Sequence, residues 1–166
     1  MTSAIAELGH AGLWVRELDV MARFYVDVLG LTVTDRDDAI GMVFLSSRPA
    51  VEHHELVLAR GRQGPVDAKV LNQLSWRLGS LDDLLAYHRT FVAERVPIRQ
   101  CVTHGNALGI YFEDPEGNVN EVYWQTGREV PQPYRKSIDL AAPAADVLEA
   151  ARRLLEDQAP AYERRG

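Results

Sequence analysis

Leu8-Gly9-His10-Ala11-Gly12-Leu13 opens the first of two stretches that read alike, and the second opens 63 residues later at Leu71-Asn72-Gln73-Leu74. On the same offset Leu18-Asp19 falls on Leu81-Asp82, and Phe24 falls on Tyr87. Such self-similarity marks one structural unit used twice, each copy too small to bury a core alone. In each copy a short apolar segment (residues 12–15 and 74–78) leads to an acidic residue that opens a helical pattern. Asp19 and Asp82 are the expected N-caps, since a short side-chain oxygen can accept from free first-turn amides. Val20, Phe24 and Val28 recur at helical spacing, as do Leu81, Leu84, Leu85 and His88. Gly30 suits the end of the first helix, where a left-handed residue is needed.

After each helix the pattern changes to strands. The first copy offers residues 31–34, 41–45 and 54–59, and the second offers 98–103, 109–112 and 118–124. Asp114-Pro115-Glu116-Gly117-Asn118 reads as a tight turn: Pro115 presets its own dihedral, and Gly117 or Asn118 accepts a positive one. A polar linker over 61–69, with Gly64-Pro65, joins the copies. An extended stretch with Pro131 and Pro133 then leads to an amphipathic helix over 144–155, apolar at Val147, Leu148, Ala151, Leu154 and Leu155 and suited to pack on the domain or on a second subunit. The expected architecture is α+β. Two paired βαβββ modules (about 5–60 and 70–125, within a domain 1–130) form a curved mixed sheet around a cup, and residues 131–166 add an extended segment and a C-terminal helix.

The 166 residues are 46% hydrophobic and 25% charged, with 18 Lys and Arg against 24 Asp and Glu. That balance is ordinary for a globular domain. A net charge of −6 gives no electrostatic reason to bind nucleic acid or an anionic membrane surface. One cysteine, Cys101, makes no internal disulfide and no thiolate metal cluster. No apolar run approaches the ~18 residues needed to span a bilayer. The start has no basic region followed by an apolar core, so a cytoplasmic protein is expected.

Pairing the two copies brings equivalent positions together. His10 falls on the first strand of copy one and Gln73 on that of copy two. Glu121 falls on the last strand of copy two, and His53, His54 and Glu55 begin the last strand of copy one. Of consecutive strand residues only one faces inward; His54 is favoured, with Glu55 the alternative. A nitrogen–oxygen set of this kind suits a divalent first-row metal.

These residues resemble the vicinal oxygen chelate superfamily, which includes glyoxalase I, fosfomycin-resistance enzymes, bleomycin-binding proteins and type I extradiol dioxygenases. The opening module is matched by residues 8–13 with Phe24-Tyr25-Val26-Asp27-Val28-Leu29-Gly30-Leu31, and the closing module by residues 111–123. Within the superfamily the chain is most similar to catechol-type extradiol dioxygenases. That resemblance implies Fe(II) held by His10, Gln73 and Glu121, with His54 (in His54-Glu55-Leu56), Tyr111 and His104 acting on an aromatic substrate and dioxygen. His54 would serve as acid–base, Tyr111 would hydrogen-bond the anionic substrate oxygen, and His104 would orient the substrate. The chain departs from those enzymes at Gln73, where they carry His. An amide oxygen is a weaker donor than imidazole, so looser binding or a different metal preference is expected. Some glyoxalase I enzymes use Gln there. If Glu55 faces inward instead, the set His10, Glu55, Gln73 and Glu121 resembles their four-ligand site, with Mn, Zn or Ni in place of iron. A third reading is sequestration of a planar aromatic compound without turnover.

Overall fold

The computed structural model describes residues 7–65 and 71–157. The chain divides into two compact units, residues 1–68 and 69–166. The α+β class holds, with one strand–helix–strand–strand–strand unit per copy and one mixed sheet in each.

In the first unit the elements are β1 (Ala11–Val15), α1 (Leu18–Asp27), β2 (Thr32–Asp37), β3 (Met42–Ser46) and β4 (Leu56–Arg60). The sheet order is β1-β4-β3-β2. β1 runs parallel to β4 and the other pairs are antiparallel. Helix α1 buries Leu18, Met21, Ala22 and Tyr25, a stripe at i, i+3, i+4 and i+7, against Val43, Leu45, Leu56 and Leu58. This corrects the expected stripe of Val20, Phe24 and Val28: Val20 is exposed and the other two are only partly covered. The cap differs as well. Asp19 lies inside the first turn, paired with Arg36, and Glu17 at the N-cap makes no side-chain cap. Gly30, at φ +72°, closes the helix as expected.

In the second unit the elements are β5 (Leu74–Arg77), α2 (Leu81–Ala93), β6 (Ile98–Thr103), β7 (Ala107–Glu113), β8 (Val119–Gln125), β9 (Lys136–Ser137) and α3 (Ala144–Glu156). The order is β5-β8-β7-β6-β9, with β5 parallel to β8. Helix α2 buries Leu81, Leu84, Leu85 and Phe91, and Phe91 packs its ring 4.4 Å from that of Phe112. Its cap is Ser80, whose Oγ accepts from the Asp83 amide at 3.1 Å, and not Asp82. The turn at 114–118 forms around Asp114, which is 4% exposed. Its carboxylate accepts from the amides of Glu116 and Asn118 and from Asn118 Nδ2 at 2.8–3.0 Å.

The stretch after β8 is part of this unit. β9 pairs with β6, and Tyr134 Oη donates to the Leu154 carbonyl at 2.6 Å. Helix α3 packs on α2, burying Val147 and Ala151 and leaving Leu148 exposed. Linker residues 66–69 and the chain beyond 157 lie outside the described residues.

Candidate functional site

Each unit covers one face of its sheet with a helix, and the expected site residues sit on or beside the opposite face. In the second unit the strand register decides which residues meet. β5 pairs Ser75 with Glu121, β7 pairs Tyr111 with Glu121, and β6 pairs Gln100 with Tyr111. Paired residues share a face of the sheet. Ser75, Glu121, Tyr111 and Gln100 therefore form one row across four strands. Gln100 owes its place to a bulge: Ile98 pairs with Phe112 on the helix side, yet Gln100 two residues on pairs with Tyr111 on the other. An extra residue in the strand re-aims the side chains beyond it.

Glu121 is 6% exposed, and a buried carboxylate is costly unless it is held. Its Oε2 accepts from Ser75 Oγ at 2.6 Å and from Gln73 Nε2 at 3.2 Å. Gln73 Nε2 also reaches Ser75 Oγ at 2.8 Å. On the other side, Oε1 lies 2.7 Å from where a β-carbon on Gly109 would stand. The bare glycine backbone is the space that this carboxylate oxygen uses.

Tyr111 sits between Glu121 and His104. Burial pushes its phenol up to about 12, the Glu121 charge and a hydrogen bond to Glu121 add to that, and Gln73 and Arg135 oppose it. His104 Nδ1 stands 2.9 Å from the Tyr134 carbonyl and Nε2 stands 3.3 Å from Tyr111 Oη. A carbonyl only accepts, so Nδ1 carries a proton; in the neutral ring Nε2 and the Glu121 carboxylate are then alternative acceptors for the one phenolic proton. Gln132 Nε2 donates to the His104 carbonyl, and Gly105 (φ +74°) has no room for a side chain beneath Val130 and Leu155. The C-terminal stretch thus locks the His104 loop. A cleft of about 690 Å³ opens here, lined by Asn72, Gln73, Gln100, His104 and Tyr111 and walled by residues 132–135.

In the first unit the His10 and His54 rings lie 4.4 Å apart, and Phe44 stands 5.2 Å from His54. His53 and His54 approach through their Nδ1 atoms at 2.8 Å, so one donates and the other accepts. Burial pushes the His54 pKa down, helped by His10 and His53 and opposed by Glu52. Glu55 turns elsewhere: its Oε2 accepts from the Ser47 amide at 2.7 Å and Ser47 Oγ at 2.6 Å, and Arg48 reaches Oε1 at 3.2 Å. Burial raises the Glu55 carboxyl, but these bonds outweigh it and hold it below its usual range.

Several placements correct the sequence reading. His10 and Gln73 stand one residue before β1 and β5, and His54 and Glu55 lie in the turn before β4. Asn72 and Gln73 are consecutive yet both line the cleft, because pleat alternation begins only at Leu74. Ser75, Gly109, Gln100 and Arg135 were missed as site residues. A Ser two residues after Gln73, and a Gly inside a strand, were available signals for the first two. Nothing local signals the others. Among the described residues no group of three or more His, Cys, Asp or Glu stands ready to hold a metal ion. The expected set has two members of those types, His10 and Glu121. Its chemistry, imidazole with carboxylate and amide oxygens, suits Fe(II) or Mn(II). No helix among the described residues is long and apolar enough to cross a membrane.

Comparison with known proteins agrees with this architecture. The family model described as the Glyoxalase/Bleomycin resistance protein/Dioxygenase superfamily matches residues 7–122. A 1,2-dihydroxynaphthalene dioxygenase of Pseudomonas sp. (strain C18) is 27% identical over 137 residues, 80% of this chain and 43% of that protein. A manganese-dependent 2,3-dihydroxybiphenyl 1,2-dioxygenase of Geobacillus genomosp. 3 is 29% identical over 128 residues, 75% of this chain and 38% of that protein. The chain thus spans less than half the length of either. Among solved structures, the fosfomycin resistance protein FosX of Listeria monocytogenes superposes with a TM-score of 0.61 at 17% identity, covering 75% of this chain and 97% of that one. At that identity the likeness is one of fold.

Proposed function

The chain belongs to the Glyoxalase/Bleomycin resistance protein/Dioxygenase superfamily, and from that membership we propose that it is a cytoplasmic, metal-dependent extradiol-type dioxygenase acting on a catecholic ring. His10, Gln73 and Glu121 are the metal donors in this reading, and His54, Tyr111 and His104 serve the substrate. The observation that carries it is the second unit's row: a buried carboxylate held by Ser75 and Gln73, faced by a phenol that a histidine backs.

Fe(II) or Mn(II) in that donor set would bring a catechol and dioxygen together and activate them toward ring opening. The protein's own groups then divide the remaining tasks. Tyr111, with its pKa pushed up to about 12, stays protonated at neutral pH, and its one proton would turn from Glu121 or His104 to an anionic substrate oxygen when that oxygen is bound. His104 holds its Nδ1 proton on the Tyr134 carbonyl, which aims Nε2 at the Tyr111 hydroxyl. That arrangement orients the phenol. His54, with its pKa pushed down, is neutral and ready to take a proton, and it would take it at Nε2 in the tautomer whose Nδ1 donates to His53. For Gln73 to ligate through oxygen, its amide must turn over, because Nε2 now points at Glu121.

The glyoxalase-like alternative needs Glu55 as a donor, and its engagement by Ser47 and Arg48 speaks for His54 instead. Sequestration without turnover draws support from the Gln73 amide itself, which satisfies Glu121 as a neutral donor would in a site with no metal. Oxygen uptake with a catechol panel, after anaerobic Fe(II) or Mn(II) loading, separates these readings when run beside Gln73→His. Uptake by the natural protein is the expected result. Bound metal without uptake in either protein refutes ring cleavage, and activity in Gln73→His alone means that the natural chain has left that chemistry.

A further inference from the structure

The cleft has a second polar end that ring cleavage does not use. Arg135, on the stretch leading into β9, donates through Nη2 to Gln100 Oε1. With that oxygen engaged, Gln100 has its Nε2 donor to offer, and both residues line the cleft. The pair therefore presents N–H groups and a positive charge. Among the described residues that line the cleft, Arg135 is the only Asp, Glu, Lys or Arg, and its field is felt at Tyr111, where it works against the raised phenol pKa. Gln100 reaches this face only because the bulge before it reverses the strand's alternation. A bulge and a separate segment, which reaches Lys136 eleven residues past the last repeat strand, converge to build this feature.

We propose that Arg135 and Gln100 bind an anionic substituent, a carboxylate, on the aromatic substrate. A donor-only, positively charged edge matches an acceptor-only anion in both charge and hydrogen bonding. The row sets the length. Gln100 lies two strands from Glu121, roughly 10 Å at the spacing of adjacent strands. One aromatic ring bearing a short acid side chain spans that interval, with its hydroxyls toward Glu121 and its acid toward Arg135. The diols for which those relatives are named, 1,2-dihydroxynaphthalene and 2,3-dihydroxybiphenyl, carry no acid group. The acid preference would set this chain apart from them. The diol half of this substrate rests on the ring-cleavage reading, and the acid half does not.

The test therefore uses probes with a ring and no diol. Phenylacetate and phenylacetamide are titrated calorimetrically into the full-length protein, chelator-treated, at low ionic strength. The acid is expected to bind about tenfold more tightly than its neutral amide. Arg135→Gln should bring that ratio close to one. Gln100→Glu, which keeps the cation but sets a carboxylate against it, should do the same and covers the case in which Arg135→Gln does not fold. Equal binding of acid and amide, no binding of either, or a preference that survives both substitutions overturns the proposal. Oxygen uptake on neutral catechols with no acid preference would sink this inference alone. An acid preference without any oxygen uptake would sink ring cleavage alone.

Discussion

Gly109→Ala tests how the Glu121 carboxylate is held. The new methyl would stand 2.7 Å from Oε1, but 3.5 Å from Cδ and 3.6 Å from Cγ, so only the oxygen must move. Ordinary contact begins near 3.4 Å, which asks for a shift of about 0.7 Å. The backbone cannot supply it, because β7 is hydrogen-bonded to β6 on one side and β8 on the other. Rotation of the carboxylate is the remaining route, and it carries Oε2 away from Ser75 Oγ, now at 2.6 Å. A hydrogen bond to a charged group contributes about 1.5–3 kcal/mol, and water recovers part of that at the exposed Ser75. Replacing Gly by Ala where φ is negative should by itself stabilise by about 0.4–1 kcal/mol through the unfolded chain. The net expectation is a loss of about 1 kcal/mol, or roughly 2–4 °C in Tm. The cause is isolated by a double-mutant cycle with Ser75→Ala, read by urea unfolding in the absence of metal. Once Ser75→Ala has removed the bond, Gly109→Ala should cost about 1 kcal/mol less. Additivity to within about 0.5 kcal/mol would show that the methyl does not act through that bond, and a net stabilisation by Gly109→Ala would show that the carboxylate is not confined there.

A tyrosinate absorbance titration of the metal-free protein should show a component ionising near 12, and Tyr111→Phe should remove it. The folded state holds this proton more tightly than the unfolded chain, so its contribution to stability is complete below the ordinary tyrosine pKa and is lost as pH rises toward 12. Glu55 has the opposite sign. Its lowered pKa contributes stability above the usual carboxylate value of about 4.5 that fades as the pH falls, so Glu55→Gln should flatten the acid side of the stability–pH curve. The same variant should keep its metal content while Glu121→Gln loses it; loss in both would favour the four-ligand, glyoxalase-like set. Asp114→Ala strips the 114–118 turn of three hydrogen bonds at a residue 4% exposed. Thermal melts should show a cost of about 3 kcal/mol, and an unchanged Tm would mean that the turn holds itself without that carboxylate.

Much of the fold was legible along the chain because it rests on short-range chemistry. The 63-residue repeat implied two strand–helix–strand–strand–strand units, and Gly30, Gly117 and Asp114-Pro115 mark where the chain must turn. Helix α3 begins at Ala144 as expected and ends one residue later than expected, since its apolar stripe is clean. Tyr111, Glu121, His104 and Gln73 could be named from sequence as candidates, and the second unit gathers all four. Tertiary structure decided what local pattern leaves degenerate. Helix α1 carries apolar residues around more than one face, so only packing on β3 and β4 selects Leu18, Met21, Ala22 and Tyr25 over Val20, Phe24 and Val28. His54 and Glu55 are equivalent as neighbours in sequence, and it took Ser47 and Arg48 to draw the carboxylate away. Gln100 and Arg135 carry no local signal at all. A one-residue bulge turns the first, and a two-residue strand pairing on β6 delivers the second. Register and long-range pairing are properties of two segments at once, and no single stretch of sequence encodes them.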